Sequence, residues 1–239
     1  MAKPGPDYAK LDAGEIIATA ERLAQRIAER FPGFGLASVG ARLVEIARRT
    51  ESEALRLATP NVPIRVAVGA VLLAGALSLA FLIASLRLET NVGNGVLPLV
   101  QAAESTMNIA ILVGLGIVAL TRLESRWKRN HALASLHALR SLAHVIDMHQ
   151  LTKDPNAERL AEPTMSSPRR SLTPAQLERY LDYCSEMLAL IGKLSALYAQ
   201  SHNDQLVGQS VNEIEVLTTN LARKIWQKIA IIAESPKRD

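Results

Sequence analysis

The 239-residue chain has a single cysteine, Cys184, and only 4% of its residues are aromatic. One thiol excludes an intrachain disulfide and any multi-cysteine metal site built from one copy. Scarce aromatics set the chain apart from soluble enzymes, which fill their cores partly with Phe, Tyr and Trp. The apolar share is nevertheless 49%, carried by Leu, Ala, Ile and Val, a combination suited to helices and lipid. The net charge is +4, yet the basic residues form no long tract and no nucleic-acid-binding signature accompanies them. Nucleic acid is therefore not an expected partner. The opening "MAKPGPDYAKLDAGEII" lacks the apolar core of a signal peptide, so the chain is expected to begin in the cytoplasm. Also missing are a nucleotide-binding glycine loop, an ordered nucleophile–base pairing, paired carboxylates and a metal motif. The expectation is a protein that is not an enzyme and carries neither cofactor nor metal.

Charge is missing from two long apolar runs. "VAVGAVLLAGALSLAFLIASL", residues 66–86, has 21 uncharged residues between Arg65 and Arg87. At about 1.5 Å per residue it crosses the roughly 30 Å hydrocarbon core of a bilayer. "STMNIAILVGLGIVALT", residues 105–121, has 17 between Glu104 and Arg122, at the lower edge of a spanning length. Four arginines (48, 49, 56 and 65) precede the first run, and Arg122, Arg126, Lys128 and Arg129 follow the second. The connector 87–104 holds one basic residue, Arg87, and two acids, Glu89 and Glu104. This asymmetry predicts a hairpin with both termini in the cytoplasm and Trp127 as an interfacial anchor. By architectural analogy the bilayer is a bacterial cytoplasmic membrane.

Small residues recur four apart at Ala76, Ala80 and Ala84, and again at Ala110 and Gly114. Such faces allow close helix packing, within the hairpin or between copies. The polar residues of the runs, Ser78, Ser85, Thr106 and Asn108, together with Glu104 at the outer end, are the candidates to line a pore.

Helices are expected on both sides of the hairpin. Asp12 and Glu15 form a capping pair, and Ile16, Ala20, Leu23, Ile27 and Phe31 share one face. "FPGFG" turns the chain into a second helix, about 36–57, with Leu36, Val39, Leu43 and Ile46; Pro60 and Pro63 end it. No proline or glycine occurs between Ile117 and Lys153, so the second span is expected to continue as a rod of roughly 45 residues. "TKDPNAERLAEPTMSSPRRS" reads as a linker; its "SSPRRSL" has the residues to take phosphate or bind an acidic surface, although short Ser-Arg runs are usually just solvated loops. Thr173, Pro174 and Gln176 then open a helix. In it Leu177, Tyr180, Cys184, Met187, Ile191, Leu194 and Tyr198 follow heptad spacing. A last helix, about 205–233, carries Val207, Val211, Ile214, Leu217, Leu221, Ile225, Ile229 and Ile232, predicting an antiparallel hairpin with its predecessor. The fold class is thus all-α. It divides into N-terminal amphipathic helices (1–61), a transmembrane hairpin (62–121), an extension (122–152), a linker (153–173) and a C-terminal coiled-coil-like hairpin (174–239).

"HALASLHALRSLAHVIDMHQ", residues 131–150, holds four of the five histidines. At 100° per residue only His137 and His144 share a face, about 10 Å apart, too far to ligate one ion without another helix. That face, with Arg140, Ser141 and Asp147, is expected to be a solvated or interhelical polar stripe. Alternatively His137, Arg140, His144 and Asp147 form a polar, pH-sensing layer against the Tyr180, Tyr183 and Glu186 region or a second copy. Two functions fit these features. One is a homo-oligomeric assembly or regulatory scaffold in the lipid bilayer, engaging cytoplasmic protein partners through its helices. The other is a homo-oligomeric ion channel.

Overall fold

The computed structural model describes residues 10–89, 97–155, 165 and 172–234, and what it describes is all-α. Its helices are α1 (Ala13–Arg30), α2 (Gly35–Ala58), α3 (Val62–Glu89), α4 (Leu97–Leu151), α5 (Pro174–Ser201) and α6 (Gln205–Glu234). Most of the linker, including "SSPRRSL" up to Ser171, lies outside the described residues, as do positions 90–96 of the connector.

The helix boundaries follow local chemistry. Asp12 accepts a hydrogen bond from the Glu15 N–H at 3.2 Å and starts α1, while the Phe31 N–H closes it on the Ile27 carbonyl at 2.9 Å. Gly33 then adopts φ 78°, a left-handed turn that glycine enters without a Cβ penalty. Pro63 sits in the first turn of α3, where its missing N–H costs nothing. Thr173 and Gln176 complete a reciprocal capping box at the head of α5, with Pro174 next to it.

The chain divides into two compact units. One comprises the residues up to Ala58 and from His131 onward; the other is Thr59–Asn130, and α4 contributes to both. In the first unit α1, α2, residues 131–151 of α4, α5 and α6 share one hydrophobic core. Leu136, Leu139, Leu142, Ala143 and Ile146 are all buried there, so this part of α4 is a packed core helix rather than a rod standing alone. The N-terminal and C-terminal helices likewise belong to a single body, not to separate modules.

α5 is the central helix. A coiled-coil seam would bury one stripe, but α5 buries adjacent pairs at every turn: Tyr180 with Leu181, Tyr183 with Cys184, Met187 with Leu188, Leu190 with Ile191. It packs against α1, α2 and α6 together. The heptad positions from Tyr180 to Tyr198 are all buried and Leu177 is half-buried, but residues between them are apolar too, and that widens the stripe to most of the circumference. Each fully buried leucine here contributes about 1.5–3 kcal/mol. Four of the few aromatics gather at one end of the bundle, where Phe31 meets Tyr180 edge-on at 5.5 Å and Tyr183 at 6.2 Å, with Phe34 beside it. Arg26 lies 5.7 Å from the Tyr183 ring and pairs with Glu186 at 2.7 Å.

The second unit is an antiparallel pair. Asn61 N–H donates to Glu124 Oε1 at 3.1 Å, and Lys128 Nζ donates to the Thr59 carbonyl at 2.8 Å. Further along, Val71 meets Gly116 and Val113 meets Gly75; a Cβ on Gly75 would sit 2.5 Å from Val113 Cγ2. Position numbers rise on α3 as they fall on α4, which sets the register. The two glycines let the backbones approach at these points. Large apolar side chains such as Leu72, Leu77, Phe81, Ile111, Leu112 and Leu115 point outward and are exposed. Both helices are long and apolar enough to cross a membrane.

Candidate functional site

In the second unit the hydroxyl groups expected at a pore are bonded to their own helices. Ser78 Oγ donates to the Ala74 carbonyl at 2.8 Å, Ser85 Oγ to Phe81 at 2.9 Å and Thr106 Oγ1 to Ala102 at 2.8 Å. These i−4 bonds satisfy each donor without water or a neighbouring helix. Asn108 and Glu104 are exposed. Ala76, Ala80, Ala84, Ala110 and Gly114 also lie on outward faces of the pair. Within the pair, close approach falls instead to Gly75 and Gly116, one residue before Ala76 and two after Gly114.

The histidine helix separates its predicted layer. His137, Ser141 and His144 are exposed, and Arg140 and Asp147 half-buried. Arg140 pairs with Glu213 of α6, and Asp147 accepts from Gln150 Nε2 at 2.5 Å. Tyr180 and Tyr183 are occupied by the Phe31 cluster and Glu186 by Arg26, so this chain does not bring the four residues against them. His149 follows a different course. Its ring packs on the start of α2, where a Cβ on Gly35 would lie 2.6 Å from its Cε1.

Two polar assemblies escape a reading of the sequence. The first joins α2, α4 and α5 around Glu53. Its Oε2 accepts hydrogen bonds from Ser135 and, at 2.8 Å, from the Tyr198 hydroxyl, while Oε1 pairs with Arg49 Nε at 2.7 Å. Burial pushes the Glu53 carboxyl up, but the hydrogen bonds from Ser135, Arg49 and Tyr198, with the Arg49 charge, more than offset this and hold it below its ordinary value. Tyr198, 1% exposed, is raised to about 12 by burial. The partners lie 82 and 145 positions from Glu53, beyond any local motif. One signal was available: a tyrosine at a core heptad position needs a partner for its hydroxyl.

The second assembly closes the end of α4. Lys228 Nζ donates to the Gln150 carbonyl at 2.8 Å and to Gln150 Oε1 at 2.6 Å. It thereby satisfies a carbonyl of the last helical turn and opposes the negative end of the helix dipole. Burial lowers the Lys228 pKa, and the charges of Asp154 and Asp147 oppose that. An open groove beside it is lined by Asp147, Gln150, Asp154, Lys224 and Lys228. Cys184 is fully buried in the core, and burial pushes its thiol up to about 12. Among the described residues, no group of three or more His, Cys, Asp or Glu side chains is placed to hold a metal ion. No protein-family model, curated protein or solved structure matches the chain.

Proposed function

We propose that the protein is a membrane-anchored, homo-oligomeric scaffold: α3 and the start of α4 anchor it in the bilayer as a two-span hairpin. The helical bundle stands on the cytoplasmic side with both termini and engages protein partners there. The observation that carries this reading is the opposite placement of apolar side chains in the two units. The bundle buries leucines and isoleucines such as Leu23, Ile27, Leu188 and Ile191 around α5, whereas the hairpin turns Leu77, Phe81, Leu112 and Leu115 outward. Such a wall is costly in water and stable in lipid. No charge interrupts either apolar run, and the hydroxyl groups of Ser78, Ser85 and Thr106 are satisfied within their own helices. These features favour an anchor over a polar conduit. The flanking arginines and lysine support the cytoplasmic side for the bundle.

Asn108 keeps the channel as the second reading, because it places an exposed amide within the apolar run of α4. Particle mass in detergent and conductance in liposomes separate the two. The scaffold predicts an oligomer that is electrically silent when reconstituted. Reproducible conductance altered by Asn108→Leu or Glu104→Gln overturns it in favour of the channel.

A further inference from the structure

One face of α4 changes character along its length. Ile111, Leu115 and Val118 are exposed, and spacings of four, three, four and four carry the same arc on to Arg122 and Arg126, also exposed. From Ile111 to Arg122 the helix rises about 16 Å, close to half the hydrocarbon thickness of a bilayer. Two other charges in this stretch are turned inward. Glu124 and Lys128 pair at 3.1 Å, their side chains 22% and 13% exposed, and bind the Asn61 N–H and the Thr59 carbonyl. Arg65 of α3 falls between the Asn61–Glu124 and Val71–Gly116 contacts, about level with Arg122, and is exposed as well.

We infer that Arg122 and Arg126, with Arg65 on the companion helix, form a binding surface for acidic phospholipid. The acyl chains would lie along Ile111, Leu115 and Val118, and the phosphate headgroup against the guanidinium groups; this surface rests on the two-span membrane reading. A guanidinium presents paired N–H donors that match phosphate geometry. Continuity with the exposed apolar face selects a lipid over a nucleic acid or an acidic soluble protein, either of which would leave that face uncovered. Lys128 takes no part, because it is tied across the hairpin.

The test uses the full chain in nanodiscs containing equal phosphatidylglycerol and phosphatidylcholine, with retained lipids counted by native mass spectrometry. The parent retains phosphatidylglycerol preferentially, and Arg122→Gln with Arg126→Gln lowers that preference by roughly fivefold per arginine, the attraction of one basic side chain for an acidic leaflet. Arg122→Lys with Arg126→Lys keeps charge and preserves most of the preference, and Lys128→Gln leaves it unchanged. Equal retention of both lipids by the parent overturns the inference, as does an unaltered preference in the glutamine variant. Suppression by inorganic phosphate overturns it too, in favour of a free-anion site. Alkaline carbonate extraction separates this failure from that of the membrane reading: a chain released by carbonate has no spans, whereas one that stays without lipid preference keeps its spans and loses only this surface.

Discussion

At the scale of single residues, burial decides what each reactive group does. Cys184 has the chemistry of a nucleophile but sits at 0% exposure on the bundle's central helix, with its thiol raised to about 12. Only the thiolate reacts, so maleimide at pH 7.5 is expected to leave the folded protein unlabelled and to modify it rapidly once denatured. Labelling of the folded protein at the denatured rate would show that α5 is not enclosed. Glu53 behaves in the opposite way. Its folded pKa lies below the unfolded value of about 4.3, so its stabilisation is complete above that pH and is lost as the pH falls through the folded value. Thermal melting of the parent in detergent should therefore drop as pH falls below about 4.3, and Glu53→Gln should flatten that acid limb. Tyr198→Phe removes a hydrogen bond to a carboxylate and is expected to cost about 1.5–3 kcal/mol at pH 7. A loss within experimental error would mean that the Tyr198–Glu53 hydrogen bond contributes nothing.

The hairpin shows how two elements lock together. Its register rests on contacts spread along both helices, from Thr59–Lys128 to Gly75–Val113. Cysteines replacing Val71 and Gly116 are expected to form a disulfide on mild oxidation, because a Cβ on Gly116 lies 3.2 Å from Val71 Cγ1. The same cysteines combined with Gly75→Leu should form it poorly, since a side chain there collides with Val113. Protection from maleimide after oxidation is the readout, and equal protection with and without Gly75→Leu would refute the close approach. The repeats at Ala76, Ala80, Ala84, Ala110 and Gly114 were legible in the sequence as close-packing candidates. Spacing alone leaves open whether neighbouring copies or the partner helix meet them. Gly75 and Gly116 stand out only when the opposing valines are in view.

For the whole molecule, the decisive quantity is the apolar area on the outside of the hairpin. In the proposed bilayer setting a charge on that wall is opposed by the hydrocarbon, at about 3 kcal/mol for an arginine near the centre of a span against a slight gain for leucine. Leu77→Arg is therefore expected to cut the carbonate-resistant fraction sharply, and Leu206→Arg, an exposed leucine of α6, to leave it unchanged. Equal extraction of the two variants would remove the support for a bilayer anchor. The bundle was only partly legible as a body. Its individual helices announce themselves through caps and periodicity. Assembly of α1, α2, residues 131–151 and the C-terminal pair into one core depends on contacts across more than a hundred residues, such as Arg26–Glu186 and Tyr198–Glu53.

The sequence by itself determined the helical class, the helix starts at Asp12 and Thr173, the two uncharged runs and the apolar faces. Each of these follows from interactions within a few turns of chain: a side chain capping an N–H, or a 3.6-residue repeat. Only the tertiary structure decided that α5 is enclosed by neighbours, that Lys128 is a clamp while Arg122 and Arg126 face outward, and that Glu53 is the hub of a polar assembly. It also settled which helices cover the histidine stretch. The apolar side of that helix is core, while His137 and His144 face away from it. Identical local patterns fit a buried or an exposed position, and the packing of distant helices makes that choice.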